Sequence, residues 1–146
     1  DTYLNRMLDK QAYDNSGLIY GLGHAVYTMS DPRAVELKKL AGELAREKGR
    51  EKEYEFLKLI EQEGIKCLTA RGRVKPVCAN LDFYSGFIYE MIGLPQEIYT
   101  PIFAMARIVG WTAHRIEELN FESRRIIRPA YKNILEGNTY IPISER

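Results

Sequence analysis

Apolar side chains recur every three or four residues along most of this chain, a spacing that places them on one face of a helix. The clearest case opens at Asp31, a capping residue, and at Pro32, which suits the first helical position. A glycine at position 49 is a helix-ending signal. The helices predicted in this way cover 1–15, 31–49, 51–63, 82–92 and 100–119. The third helix could continue past Gly64, because the pattern resumes through Leu68 and Ala70. The predicted fold class is all-α.

Glycine and proline mark the segments between these helices. Residues 17–23 are predicted to be extended, because glycines punctuate a short apolar stretch. Residues 72–80 have no helical period and are predicted to form a loop. Residues 121–146 contain two prolines and a glycine, and are expected to form an extended C-terminal arm.

Composition excludes several classes of protein. The chain has 146 residues, 45% of them hydrophobic and 28% charged, so it can bury a core and is not a disordered tail. Its 21 basic residues nearly balance 20 acidic ones, giving a net charge of +1. No nucleic-acid partner is expected from that balance, since such binding needs a basic excess.

The same features indicate a cytoplasmic protein. No apolar run approaches the roughly 20 residues that cross a bilayer, so no membrane partner is expected. There is no signal-peptide pattern at the start. Cys67 and Cys78 lack metal-ligand spacing and are expected to be reduced thiols. The chain begins without Met in mid-pattern, which is typical of a processed product, an expression product or a piece of something longer.

Arg107 is the one charged residue between positions 102 and 113 of the last predicted helix. A helix that is apolar on most faces is expected to be buried, and a buried guanidinium needs an anionic partner. That partner could be a structural carboxylate or a bound ligand, and an Arg reaching out from the helix edge is a third interpretation. His114, two turns further on, is interpreted as a packing residue.

Glycines flank His24, which lets a ligand approach the imidazole closely, although a structural histidine is the more common meaning of such a pattern. Arg33 lies in the first turn of its helix, where the macrodipole disfavours a cation. An anion bound there would meet both backbone amides and the guanidinium. An exposed arginine tolerated at small cost is the alternative.

Asp82 is predicted to cap the helix at 82–92. Phe83 and Tyr84 follow it directly, so partial removal of the carboxylate from water is a second expectation, and one that favours a general-base role. The basic cluster of Arg124, Arg125 and Arg128 is interpreted as a solvated surface.

Four segments together resemble the citrate synthase family, in the family's order and at compatible spacings. They are Gly21-Leu-Gly-His-Ala-Val-Tyr27 with Asp31-Pro-Arg33, Asn80-Leu-Asp-Phe-Tyr-Ser-Gly86, Phe103-Ala-Met-Ala-Arg-Ile-Val-Gly-Trp-Thr-Ala-His114, and Arg125-Ile-Ile-Arg-Pro129. The resemblance covers nearly the whole chain.

The resemblance implies a role for each matching residue. His24 corresponds to the histidine that polarises the oxaloacetate carbonyl, and Asp82 to the base that takes a proton from the methyl group of acetyl-CoA. Arg33 and Arg107 correspond to arginines that hold the oxaloacetate carboxylates. Arg128 corresponds to an arginine that reaches the neighbouring subunit's site in a homodimer. Acetyl-CoA is a substrate, and no cofactor or metal is implied.

The resemblance also implies that the chain is the C-terminal portion of such an enzyme. Residues 1–92 correspond to a small domain that closes over substrate, and residues 93–146 to a helix and arm of the large domain. The family's enolate-stabilising histidine falls upstream of this sequence, so very low activity is expected of the chain alone. Thr28 departs from a position where relatives often carry a basic residue near coenzyme A.

Two alternatives stay open at this point. A 2-methylcitrate synthase would use propionyl-CoA with the same residues. A non-catalytic helical module would use the fold for association or ligand sensing, since the apolar face of the 101–119 helix invites a partner.

Overall fold

The computed structural model describes residues 2–72, 75–121, 137 and 139–145, and it confirms the all-α class. The helices are α1 (Thr2–Leu8), α2 (Pro32–Glu47), α3 (Glu51–Ala70), α4 (Leu81–Met91) and α5 (Tyr99–Asn120), with short 3₁₀ turns at Gln96–Ile98 and Ile143–Glu145. The described residues contain no strand, only an isolated antiparallel bridge between Leu22 and Ala79.

The chain divides into two compact units, residues 1–104 and 105–146. In the first unit α2 packs against α4 and α3, and α1 packs against α3. The boundary predicted at residue 92 concerns the family's whole fold and stays a prediction. Arg124, Arg125 and Arg128, with most of the predicted C-terminal arm, lie outside the described residues.

The start of α2 is confirmed. Asp31 is the N-cap, and its carboxylate accepts a hydrogen bond from the Arg33 amide. The buried positions of this helix are all alanines, Ala34, Ala41 and Ala45. Small side chains there let α2 approach its neighbours closely, and the large apolar residues of the core come mainly from α4, including Tyr84, Phe87 and Met91.

Helix α3 does not end at Gly64, where a stop was predicted, but runs on to Ala70. This is the alternative in which the helical pattern resumes through Leu68 and Ala70. Gly64 is buried, and a Cβ there would lie 2.6 Å from Cδ1 of Leu22. This glycine therefore makes room for Leu22, whereas the sequence pattern suggested a helix stop.

The predicted end of α1 is also wrong. The helix stops at Leu8, and Lys10, Tyr13 and Asn15 all have positive φ values of 56–60°. Side chains with a Cβ disfavour that backbone region, and helix cannot continue through it. The first part of the predicted apolar stripe lies in the helix, but Ala12, its last position, lies beyond the end of the helix.

A partly buried polar cluster links three helices of the first unit. The Tyr84 hydroxyl is fully buried and donates to Oε2 of Glu61 over 2.6 Å, and Nζ of Lys38 lies 2.5 Å from the same oxygen. Burial, followed by the hydrogen bond to Glu61, raises the pKa of Tyr84 far above its usual value. The phenol therefore stays a donor at any physiological pH.

Both cysteines are buried and free, as predicted. Among the described residues, every helix is too short or too polar to cross a lipid bilayer.

Residues 21–23 run antiparallel to residues 78–80. The Gly23 amide donates to the Cys78 carbonyl and the Asn80 amide to the Gly21 carbonyl, each over 2.8 Å. Gly21 has a φ of +81°, and a Cβ on it would lie 2.9 Å from Cα of Phe83. A residue without a Cβ is required here by both backbone conformation and space.

Replacing Gly21 by alanine should therefore destabilise the first unit by about 2–5 kcal/mol. This range combines about 1–2 kcal/mol for a left-handed backbone with about 1–3 kcal/mol for overpacking. Urea denaturation followed by circular dichroism measures the change.

Gly86 is the matched control, because it lies inside α4 and an added Cβ would meet nothing within 4 Å. Gly86→Ala should stabilise the chain by about 0.5–1 kcal/mol, the usual gain inside a helix. Equal effects of the two variants would contradict this explanation of Gly21.

Candidate functional site

The side chain of His24 is oriented by the backbone of its own loop. The amides of Val26 and Tyr27 donate to Nδ1 of His24 over 3.0 and 3.1 Å. An Nδ1 that accepts hydrogen bonds carries no proton, so the neutral imidazole is protonated at Nε2. His24 is exposed, and the loop thus presents an N–H donor to a ligand.

Arg33 is held by the buried carboxylate of Asp31. Its Nε donates to Oδ1 over 3.0 Å and its Nη2 to Oδ2 over 2.8 Å, a two-pronged contact. Asp31 is only 1% exposed, whereas the Arg33 side chain is 45% exposed. The hydrogen bond lowers the pKa of Asp31 and raises the pKa of Arg33. A cation in the first turn of α2 is tolerated because this carboxylate accompanies it.

Tyr27 lies beside both the histidine and the arginine, and sequence analysis did not single it out. The ring centroids of His24 and Tyr27 are 5.0 Å apart, and Cζ of Arg33 lies 5.3 Å from the Tyr27 centroid. Nη2 of Arg33 is 3.4 Å from Nε2 of His24. The position of Tyr27, three residues after His24 in a glycine-rich loop, was the sequence signal that could have identified it.

Asp82 lies in the first turn of α4, and the prediction that it caps the helix is wrong. Asn80 is the N-cap, and its Oδ1 accepts from the Asp82 amide over 2.9 Å. Asp82 is exposed, so its aromatic neighbours do not desolvate it; Tyr84 points into the core. The charge of Asp82 also contributes, after those of Asp31 and Tyr27, to the raised pKa of Arg33.

The first unit therefore brings together three of the five predicted site residues, His24, Arg33 and Asp82. Arg107 lies in the second unit and is exposed, so the expectation of a buried guanidinium is wrong for this chain. Its Nη2 lies 3.4 Å from Nε2 of His114. His114 is itself exposed, which corrects its interpretation as a packing residue. Arg128 lies outside the described residues.

Two of the cavities in the described part of the first unit are lined by other residues than these three. One, of about 540 Å³, is largely apolar and lies beside α1 and α3. The other, of about 400 Å³, is bordered by Asp31, Lys38 and Glu61. Among the described residues no group of three or more His, Cys, Asp or Glu side chains is arranged to hold a metal ion. His24, Arg33 and Asp82 are all exposed, so the candidate site presents hydrogen-bond donors and a carboxylate to solvent.

Solved citrate synthases have the same fold as this chain. Citrate synthase from Thermoplasma acidophilum, solved as a ternary complex with carboxymethyl coenzyme A and oxaloacetate, superposes with a TM-score of 0.65 and 34% identity, over 99% of this chain and 41% of that one. Citrate synthase from Pyrobaculum aerophilum gives a TM-score of 0.65 and 31% identity, over 99% and 35%.

Sequence comparison agrees with the fold. The family model for the citrate synthase C-terminal domain matches residues 1–130. A citrate synthase from Synechocystis is 37% identical over 90% of this chain and 32% of its own length, and a 2-methylcitrate synthase from Corynebacterium glutamicum is 38% identical over 93% and 34%. This chain belongs to the citrate synthase family. It spans about a third of the length of the curated relatives it matches.

The Asp31–Arg33 pair should make stability depend on pH. The folded-state pKa of Asp31 is lowered, so its contribution to the free energy of unfolding is complete above the ordinary carboxyl pKa of about 4 and is lost as the pH falls through the lowered value. Asp31→Asn keeps a capping oxygen but cannot ionise. We expect this variant to lose less stability than the wild type on acidification, in urea titrations at a series of pH values.

Asp9→Asn is the control, since it removes an exposed ion pair with Arg71. Exposed pairs contribute little, so this variant should follow the wild-type pH dependence more closely. If Asp31→Asn also followed the wild-type pH dependence, the Asp31–Arg33 pair would make no pH-dependent contribution to stability.

Proposed function

We propose that this chain supplies the oxaloacetate-polarising histidine, one carboxylate-binding arginine and the catalytic base of a citrate synthase. The reaction joins the methyl carbon of acetyl-CoA to the carbonyl carbon of oxaloacetate, and hydrolysis of the thioester then yields citrate and coenzyme A. Oxaloacetate and acetyl-CoA are the proposed ligands, with no cofactor. The observation that carries the proposal is the pairing of an Nε2–H donor on His24 with the Arg33 guanidinium 3.4 Å away.

That pairing fits a 2-oxo acid, in which a ketone oxygen and a carboxylate are adjacent. The ketone oxygen would accept from Nε2 of His24, which draws electron density from the carbonyl carbon that is attacked. Asp31 occupies the edge of Arg33 formed by Nε and Nη2. A substrate carboxylate would therefore meet the other edge, formed by Nη1 and Nη2.

Asp82 is the proposed base. It would take a proton from the acetyl methyl group, and the enolate formed would attack the polarised carbonyl carbon. Its exposure in this chain leaves the carboxylate accessible to a thioester.

Condensation also needs a donor for the enolate oxygen. The sequence contains two histidines. His24 already has another proposed role, and the resemblance places the family's donor histidine upstream of both. Relatives are about three times as long as this chain. We infer that the complete active site uses residues beyond this sequence, and that turnover by the chain alone stays near the uncatalysed level.

A second candidate is 2-methylcitrate synthase, because two such enzymes from Corynebacterium glutamicum match this chain at 38% and 35% identity. The same three residues would serve, with propionyl-CoA as the acyl donor.

Oxaloacetate binding tests the substrate site directly. We expect oxaloacetate to shift the imidazole NMR signals of His24, and Arg33→Gln to weaken binding by about ten- to a hundredfold. Loss of a charged hydrogen-bonding group typically costs about 1.5–3 kcal/mol. Arg46→Gln, an exposed arginine in the last turn of α2, is the matched control and should bind normally. Unshifted His24 signals in the wild type would contradict the proposal.

The base is tested in a chimera in which residues 1–130 replace the corresponding part of Thermoplasma acidophilum citrate synthase. Release of coenzyme A thiol should fall by about 10²–10⁴ in kcat with Asp82→Asn, while oxaloacetate binding is retained. Glu97→Gln, another exposed carboxylate, should leave kcat unchanged. The ratio of kcat/KM for acetyl-CoA and propionyl-CoA decides between the two synthases. A chimera that binds oxaloacetate but never turns over would favour a non-catalytic module.

We also propose that the chain associates with itself, as a homodimer in the simplest case. No residue of α5 is buried, and its apolar side chains are largely exposed: Met105 at 72%, Val109 at 76%, Ile108, Trp111 and Ile116. Contiguous apolar faces of this kind drive association. Sedimentation equilibrium at high micromolar concentration should give a mass above 16.9 kDa, and a monomer mass throughout would contradict the proposal.

A further inference from the structure

One side chain joins the segment before His24 to the helix that carries Asp82. Oδ1 of Asn80 accepts from the Asp82 amide over 2.9 Å, and Nδ2 of the same side chain donates to the Gly23 carbonyl over 2.8 Å. The backbone amide of Asn80 donates to the backbone carbonyl of Gly21 over 2.8 Å. Asn80 thus contacts the residue immediately before His24 and the residue that bears the proposed base.

We infer that Asn80 is a positioning residue that sets the placement of His24 relative to Asp82. The inference rests on the proposed function, in which His24 polarises the carbonyl carbon of oxaloacetate and Asp82 deprotonates the methyl carbon of acetyl-CoA that joins it. Displacements of about 1 Å between reacting groups lower rates by orders of magnitude, so a contact that sets their separation has a direct consequence for catalysis.

Both halves of the asparagine amide are used, and this separates positioning from helix capping. Aspartate and serine cap helices as well as asparagine does. Aspartate, however, has no N–H to donate, and its second oxygen would face the Gly23 carbonyl. Asn80→Asp therefore keeps the start of α4 and breaks the contact with the His24 loop.

The test uses the full chain with isotopically labelled histidine ring nitrogens. The sequence has only two histidines, so His114 serves as an internal reference. The wild-type His24 ring should show one acceptor-type signal for Nδ1 and one protonated signal for Nε2. In Asn80→Asp these two signals should move towards each other, and hydrogen exchange at the Val26 and Tyr27 amides should accelerate about tenfold relative to the core of α2.

Tyr54→Phe is the matched control, since the Tyr54 hydroxyl likewise donates to a backbone carbonyl, that of Lys38, over 3.0 Å. It should lower stability to a similar extent and leave the His24 signals unchanged. If Asn80→Asp does not fold, Asn80→Ser gives the same comparison without an added charge.

Unchanged His24 signals in the Asn80 variants, or equal changes in Tyr54→Phe, would overturn the inference. The proposed function is judged separately, by whether oxaloacetate shifts the wild-type His24 signals. If oxaloacetate leaves the wild-type His24 signals unchanged but Asn80→Asp shifts them, Asn80 positions His24 and the proposed catalytic role of the site is contradicted.

Discussion

The arrangement of the candidate site depends on the close approach of residues 21–23 to the start of α4. A backbone can come this near to Phe83 only where the Cβ is absent, as it is at Gly21. Two backbone hydrogen bonds and the Asn80 side chain then complete the contact. Leu22, in the middle of this segment, packs against Gly64 of α3. His24 and Asp82 are 58 positions apart in sequence, and this contact is what makes them neighbours.

Buried charge is the second constraint, and it acts at the start of α2. Asp31 is withdrawn from water at the beginning of the helix, and Glu61 lies beside Lys38 further along it. A buried carboxylate is costly unless it is hydrogen-bonded and paired. Asp31 meets that need with Arg33, and the same contact leaves one edge of the guanidinium open, the edge to which the proposed substrate carboxylate would bind. Stability and the proposed substrate binding would thus depend on the same ion pair.

Local signals in the sequence predicted those features that local physics determines. The cap and proline at the start of α2, and the helical class as a whole, follow from spacing and capping within a few residues. The errors arose where distant contacts decide. Gly64 was interpreted as a helix end, but it is a glycine because Leu22 occupies the space that a Cβ would need. Asp82 was interpreted as the cap, but Asn80 accepts the hydrogen bond from the Asp82 backbone amide. The clustering of His24, Arg33 and Asp82 came from family resemblance, since no periodicity relates them.

The exposure of α5 shows what helical periodicity actually records. Its pattern predicted a buried helix with a costly arginine, yet in this chain none of its residues is buried and Arg107 is exposed. An apolar face is selected for the surroundings in which a helix works, and those surroundings can include residues that a given chain does not contain. This chain spans about a third of its relatives' length. The apolar side chains of α2, α3 and α4 bury one another, whereas among the described residues the apolar face of α5 stays exposed.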